Sequence, residues 1–470
     1  MRQTELLNNK KPDMNFPWNK DKKIPAVPKE KLPLCNLLEK SVDLSHTGPD
    51  VSANGGLLLL REVDDQMGLL SDIAAGLTDN RNQSYVNHSH FALVQQRVFQ
   101  IAAGYEDAND CDTLRRDGVM KMCVGNLPQS GPDLASQPTM SRFENSISQS
   151  DLYRTAECLV NHFIKSYDSD PLVIILDSDD TNHTAHGKQE GIVYNAYYGE
   201  YCFMPFHLYE GLSGKLITTI LKPGRRSKAV DVFAILSRII NLLRQSWPNT
   251  RIILRGDSHF CSPDFMAWSA GKPKLNFITG LSGNSLLNKL SETTIESAKR
   301  SFARTGRAVT SFHSFAYKAG SWAEQQRVIV KVEVNSKGVN IRYIVTDLWE
   351  YRTRNLYTIG YCARGSMELR IKEHKTYLQS GRSSCSRFEA NQFRLFLHSA
   401  AYVLLHSLQK EVLKGTEFAN ATMKTLQLKL LKVAAVIKEK KTKITIEFPQ
   451  SCPVAQIQGK AFRIFEVLRL

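Results

Sequence analysis

The sequence predicts a mixed α/β fold in which a central sheet flanked by helices follows a small helical unit and is interrupted by an all-β insertion. Three observations carry this reading. Two apolar, β-prone runs, VIILDSDDT and RIILRGDS, each end in acidic residues. Around them, stretches with apolar residues at spacings of three and four alternate with stretches of strand character. Late in the chain stands YCARGSMELRIKEHK, residues 361–375. Read as a helix, it puts Tyr361, Arg364, Glu368 and Lys375 at i, i+3, i+7 and i+14, on one face.

The elements follow in order. Residues 1–50, rich in Lys, Pro, Asn and Asp, read as an irregular arm whose basic clusters (Lys10 with Lys11, Lys20 with Lys22 and Lys23) suit phosphate contact or plain solvation. Residues 55–124 turn helical. The Pro/Gly/Ser stretch NLPQSGPDLASQPT breaks the chain, and a helix opening at Ser141, Arg142 and Glu144 runs to about Tyr167. Strands follow in PLVIILDSD, in GIVYNAYYGEYCFMPFHLYEG with a hairpin turn near Gly199, and in KLITTIL. A helix over 227–246, a strand over 251–255 and a short helix over 263–270 complete a mixed sheet. Residues 275–350 hold LNFITGL and the strands QQRVIVKVEV and VNIRYIVTDL around the turn NSKG, read mostly as β insertion. After the 361–375 helix come helices over 391–413 and 422–438 and a strand, KITIEF.

Bulk properties narrow the function. A chain of 470 residues can bury a sizeable core in two or three domains. Its net charge of +15 attracts polyanions through phosphate neutralisation and counterion release, which makes nucleic acid the first partner to consider. Residues 361–446 alone carry 16 Lys and Arg against 6 Glu. The nine cysteines form no CxxC pair and read as reduced thiols, and no stretch resembles a signal peptide or a membrane span. The expected location is cytoplasmic.

The acids suggest the chemistry. Strand-end carboxylates (Asp177, Asp179, Asp257) and a helix carboxylate (Glu368) form a hard-oxygen set suited to Mg²⁺ or Mn²⁺. Two such ions about 3.5–4 Å apart would stabilise both the attacking and leaving oxygens of phosphoryl transfer. Each acid alone also has a plainer reading as a turn or cap residue, and Glu368 as an i,i+4 partner of Arg364 worth about 0.3 kcal/mol. A rival assignment reads LDSDDT as the DxDxT motif of haloacid-dehalogenase-like phosphatases, with Asp177 as nucleophile and Asp179 as general acid/base. His183 and His186, beside the first acids, read as polar support or solvent positions.

The spacing Tyr361, Arg364, Glu368, Lys375 matches the YREK signature of DDE-type bacterial insertion-sequence transposases. The whole chain resembles one branch of them, the insertion-sequence family numbered thirteen-eighty, through LASQPTMSRFEN, LDSDDTNHTAHGKQEG, VYNAYYGEYCFMPFHLY, ILRGDSHF, MAW, ANQFRLFLHSAAYVLL and LQLKLLKVAA. The resemblance implies an RNase H-like catalytic domain with Asp257 as second acid and Glu368 as third. Asp179, two residues before Thr181, fits the D-x-T form of the first acid and is favoured, with Asp177 as the alternative. Arg364 and Lys375 would grip phosphate and Tyr361 would hydrogen-bond or stack at the DNA terminus. Lys188, His259 and Asp180 depart from the family pattern without removing an acid. Implied further are Mg²⁺ or Mn²⁺, two ions, cut-and-paste transposition on terminal inverted repeats and target DNA, a homodimer in synapsis, and action at the bacterial nucleoid. A decayed copy that only binds DNA is the remaining alternative. The domains expected are 1–135, an arm and helical end-binding region; 136–282 and 351–470, the two parts of the catalytic domain with basic C-terminal helices; and 283–350, the all-β insertion.

Overall fold

The computed structural model describes residues 31–225 and 230–468, which fall into two compact units divided after Asp50. In the first, Leu32–Leu37 and Lys40–Leu44 form an antiparallel hairpin that turns at Leu38, at φ 54°. The irregular reading of this stretch is corrected there: Pro33 and Asn36 mask the strand signal. The basic clusters from Lys10 to Lys23 lie outside the described residues.

The larger unit is built on eight strands: β1 (Val173–Asp180), β2 (Phe206–Glu210), β3 (Leu216–Ile220), β4 (Arg251–Gly256), β5 (Leu275–Leu281), β6 (Val309–Tyr317), β7 (Gln326–Asn335) and β8 (Gly338–Thr346). Their spatial order is β6-β7-β8-β5-β4-β1-β2-β3. β4 runs parallel to both β1 and β5, and every other neighbouring pair is antiparallel. β1 and β4 are covered on both faces, so they read as unbroken Ile/Leu runs instead of alternating with polar residues.

Side-chain alternation assigns the faces. Ile174, Leu176, Ile252, Leu254, Leu275 and Phe277 join a core with the helices Val230–Ser246, Pro263–Ala270 and Glu292–Thr305. On the opposite face, Ile253, Ile278, Ile329 and Ile344 pack with Leu356 and Tyr357, at the start of the segment that carries the 361–375 motif. Asp177 and Asp179 share the parity of Val173 and Ile175, so they too lie under that segment.

The 283–350 stretch is not all-β. Ser285–Leu290 and Glu292–Thr305 are helices, and β6–β8 extend the central sheet. Asn284 caps the first helix by accepting from the Leu287 amide at 2.8 Å, and Ile295, Ala298 and Phe302 lay the second against the sheet. Those apolar positions are sparse among Lys, Arg, Glu and Ser, which hides the helical period. Similarly, the helix expected from 141 to 167 is two, Gln137–Ser146 and Gln149–Lys165, because Ile147 is extended and Ser148 with Asp151 forms a capping box. The 422–438 helix ends at Leu431, and Ala435–Lys440 pairs with Lys443–Glu447 as a hairpin. Ala455–Leu468 is a further helix beyond it.

The helices after residue 55 pack on Phe388–Ser407 in one core that also includes Leu426, Leu430 and Phe465. Buried Arg97 crosslinks them: its Nε donates to Glu144 at 2.9 Å, its Nη2 donates to the Glu106 carbonyl at 2.6 Å, and Arg394 of Phe388–Ser407 lies 3.7 Å from the same Glu144. Among the described residues no helix is long and apolar enough to cross a membrane.

Histidines are buried behind the motif. His374 pairs with Ser380 at 2.7 Å and Ser399 at 3.2 Å, and His406 stacks on Tyr402. Burial depresses both to about 3, against 6.5 for a free imidazole. Between those values the unfolded chain holds the protons and the folded chain does not, so unfolding takes up protons and stability falls as pH drops below about 6.5. Urea unfolding is expected to show each histidine removing about 1.4 kcal/mol per pH unit over that range, and His374→Gln should flatten the dependence.

Candidate active site

The register of two parallel strands places the acids. Asp177 on β1 lies opposite Arg255 on β4. Two residues further along the chain in each case come Asp179, near the end of β1, and Asp257, one residue past the end of β4, at the carboxyl edge of the sheet.

Asp177 is sealed in. Its Oδ1 accepts from Arg255 Nε at 2.5 Å and its Oδ2 from Nη2 at 2.6 Å, both side chains being 1% exposed. The third nitrogen, Nη1, donates to the Gly360 carbonyl at 2.5 Å. Gly211 leaves room for the pair, since a Cβ there would sit 2.6 Å from Arg255 Nη2 and 2.9 Å from Asp177 Oδ2. The pair thus fastens the 361–375 motif to the sheet, and Asp177 presents no surface to a substrate. That geometry disfavours the phosphatase assignment, which needs Asp177 as an accessible nucleophile.

Asp179 is open by comparison, its side chain 20% exposed. Its Oδ2 accepts from Arg364 Nη2 at 2.6 Å and its Oδ1 from the Asp180 amide at 2.9 Å. Burial pushes its carboxyl up to about 7; Arg364 opposes the rise and the like charge of Asp257 adds to it. Asp257 caps the short turn Ser258–Phe260, accepting from the His259 amide at 2.9 Å and meeting His259 Nδ1 at 2.7 Å. Asp180 is ion-paired to Lys222 at 2.7 Å.

The motif helix is continuous from 353 to 377 but uneven. Its turns widen at Leu356–Tyr361 and Glu373–Tyr377, tighten at Cys362–Arg364, and are regular over Gly365–Lys372. Tyr361, Arg364 and Lys375 all face the strand edge. The Tyr361 hydroxyl crosses β5 at Gly280, where a Cβ would lie 2.8 Å from it and 3.0 Å from the Ser258 amide nitrogen. Lys375 Nζ donates to Asn182 at 2.9 Å and Thr181 at 3.4 Å, in the loop after Asp179. Glu368 differs: its side chain is 70% exposed and 3.7 Å from Arg364.

Five of the sequence-derived residues therefore meet at one edge, Asp179, Asp257, Tyr361, Arg364 and Lys375. Glu368 stands beside Arg364, outside that group. The carboxylate oxygens are the donors that Mg²⁺ or Mn²⁺ prefers, but among the described residues no three His, Cys, Asp or Glu side chains are grouped closely enough to hold an ion. An ion at Asp179 would have to displace Arg364, and Glu368 would have to turn inward. Sequence reading passed over Arg255, although an arginine inside an apolar run was its signal, and it left His183 open. His183 is buried against His207, the cross-strand partner of Asp179. His186 is exposed.

Set beside known proteins, residues 35–469 match the family described as Transposase DDE domain group 1. The chain belongs to that family, a family of DNA transposases. A piggyBac transposase synaptic complex with hairpin DNA, solved by cryo-electron microscopy, is similar at 12% identity and a TM-score of 0.42, over 80% of this chain and 79% of that one. No curated protein matches.

The two first-acid candidates should part in denaturation experiments. Asp177→Asn leaves Arg255 buried without its counter-charge and is expected to cost about 3–5 kcal/mol. Asp179→Asn, at a partly solvated pair, should cost about 1 kcal/mol or less. The reverse order would make Asp179 the structural acid.

Proposed function

We propose that the chain is a cut-and-paste DNA transposase of the YREK-signature branch, the insertion-sequence family numbered thirteen-eighty. On this reading its catalytic domain is RNase H-like and its acids are Asp179, Asp257 and Glu368. The observation that carries the proposal is the meeting of Asp179, Asp257 and the Tyr361, Arg364 and Lys375 side chains at the carboxyl edge of parallel β1 and β4. The sheet supports it. Three antiparallel strands, β3-β2-β1, continue into two strands parallel to β1, β4 and β5, and the third acid follows an insertion on a later helix.

Asp179 and Asp257, joined by Glu368, would hold the Mg²⁺ or Mn²⁺ ions, two in the complete site. Bound there, such ions lower the pKa of water and neutralise charge developing on the reacting phosphate. This chain's own residues orient the DNA. Arg364 forks onto a phosphate near the scissile bond, Lys375 adds a point charge, and Tyr361 meets the terminal nucleotide. Arg364 holds an Asp179 oxygen in the structure, and a phosphate competes for the same guanidinium, so DNA binding would free that oxygen. A 3′-hydroxyl generated by cleavage then attacks target DNA. The helices before residue 135 would recognise terminal inverted repeats, and 283–350 would be an insertion between the two catalytic parts, 136–282 and 351–470. Synapsis of two ends would bring two copies together, in the cytoplasm at the nucleoid.

Glu368→Gln is expected to bind a labelled terminal-repeat duplex within about twofold of the unaltered chain, while Mg²⁺-dependent nicking falls roughly a thousandfold. Undiminished nicking would remove Glu368 from the triad, and tight binding without nicking by the unaltered chain would mark a decayed copy. Competition at Asp179 has its own readout. Without DNA, Arg364→Gln should bind Mn²⁺ about tenfold more tightly than the unaltered chain by paramagnetic resonance titration, and Asp179→Asn more weakly. Equal affinity for the Arg364 variant and the unaltered chain would exclude the competition.

A further inference from the structure

A basic cleft adjoins the acids. Past Asp179 the chain runs through His183–Thr184 into a loop, residues 185–190, that lies alongside the loop after the motif helix. Ala185 and Ser383 form a parallel backbone bridge, and Gln189 Nε2 donates to the Ser383 carbonyl at 2.9 Å. Between these loops opens a cleft of about 780 Å³. Lys188, His186, Lys375 and Arg382 line it, together with the hydroxyls of Ser383 and Ser386. Among the described residues, no carboxylate and no large apolar side chain faces it.

The lining has the chemistry of a phosphate track. Lys188 is exposed, and Arg382, two-thirds exposed, spends one nitrogen on Glu106 at 2.7 Å and keeps the rest of its fork available. Lys375 donates to the neutral oxygens of Asn182 and Thr181 and makes no direct ion pair, although the Glu200 carboxylate behind them acts on its charge. A small anion would engage one of these cations. The volume and the spread of charge suit several successive phosphates. Among the described residues the lining holds no Phe, Tyr or Trp and no large apolar side chain, so the cleft suits backbone contact more than base readout. Lys375 both lines the cleft and bonds the loop after Asp179, so one chain of phosphates would pass both places.

We propose that this cleft binds the sugar–phosphate backbone of the DNA strand continuing from the reacting phosphate, through Lys188, Arg382 and Lys375. The proposal rests on the transposase reading for the direction of the strand, but its test is a binding measurement that needs no cleavage. The probe is a fluorescein-labelled duplex of arbitrary sequence, titrated with the full chain at several salt concentrations.

Each lost phosphate contact lowers the salt slope of log K by about 0.9, so Lys188→Ala with Arg382→Gln is expected to lower it by about two. Lys188→Ala alone, which breaks no ion pair, should lower it by about one, which guards against a fold effect from freeing Glu106. Ethylation interference on a terminal-repeat duplex should show the affected phosphates as a contiguous set next to the nicked position. An unchanged slope in both variants overturns the cleft. A lowered slope in a chain that nicks no DNA would keep the cleft and overturn the catalytic reading instead.

Discussion

The buried ion pair of Arg255 and Asp177 is the constraint on which the site depends. Two charges with 1% exposure are costly to desolvate, and the cost is met only because all three guanidinium nitrogens find acceptors, two on Asp177 and one on the Gly360 carbonyl. The third bond reaches out of the sheet. It ties β1 and β4 to the helix one residue before Tyr361, so strand register and helix position are set by the same side chain. Gly211 and Gly280 are corollaries, each lacking a Cβ where this arrangement brings atoms too close.

From that anchor the electrostatics of the edge follow. Asp179 near the end of β1 and Asp257 just past the end of the adjacent parallel β4 are close enough for their like charges to oppose each other. Arg364 relieves it directly, while Lys375 and Lys222 supply positive charge to the flanking Thr181, Asn182 and Asp180. A site with this many cations around two acids is prepared for a polyanion. It holds its acids against each other with side chains that phosphate oxygens can recruit.

The fold was most legible where a local rule and the tertiary environment agreed. The helix Pro263–Ala270 has the bounds expected from its sequence, because Ser262 caps it and Pro263 opens it. β1 and β4 announced themselves as apolar runs because both faces are covered. The signal failed where burial was thin. Glu292–Thr305 shows the sheet only Ile295, Ala298 and Phe302, and the Ala435–Lys440 strand has charged residues at every exposed position, so it read as the end of a helix.

The sequence by itself determined the inventory of the site: acids at the ends of two apolar runs, a spaced Tyr, Arg, Glu and Lys on one helical segment, and a basic chain around them. It favoured Asp179 over Asp177 only through the D-x-T form, because both have the same parity on the same strand. The tertiary structure gives the two carboxylates different surroundings. Parallel pairing put Arg255 opposite Asp177 and left Asp179 partly exposed under Arg364, so one carboxylate is consumed by the core and the other stands at the edge. The uneven turns of the motif helix likewise came from packing. They aim Tyr361, Arg364 and Lys375 at that edge while Glu368 stays in solvent, a separation that a uniform 3.6-residue period does not contain.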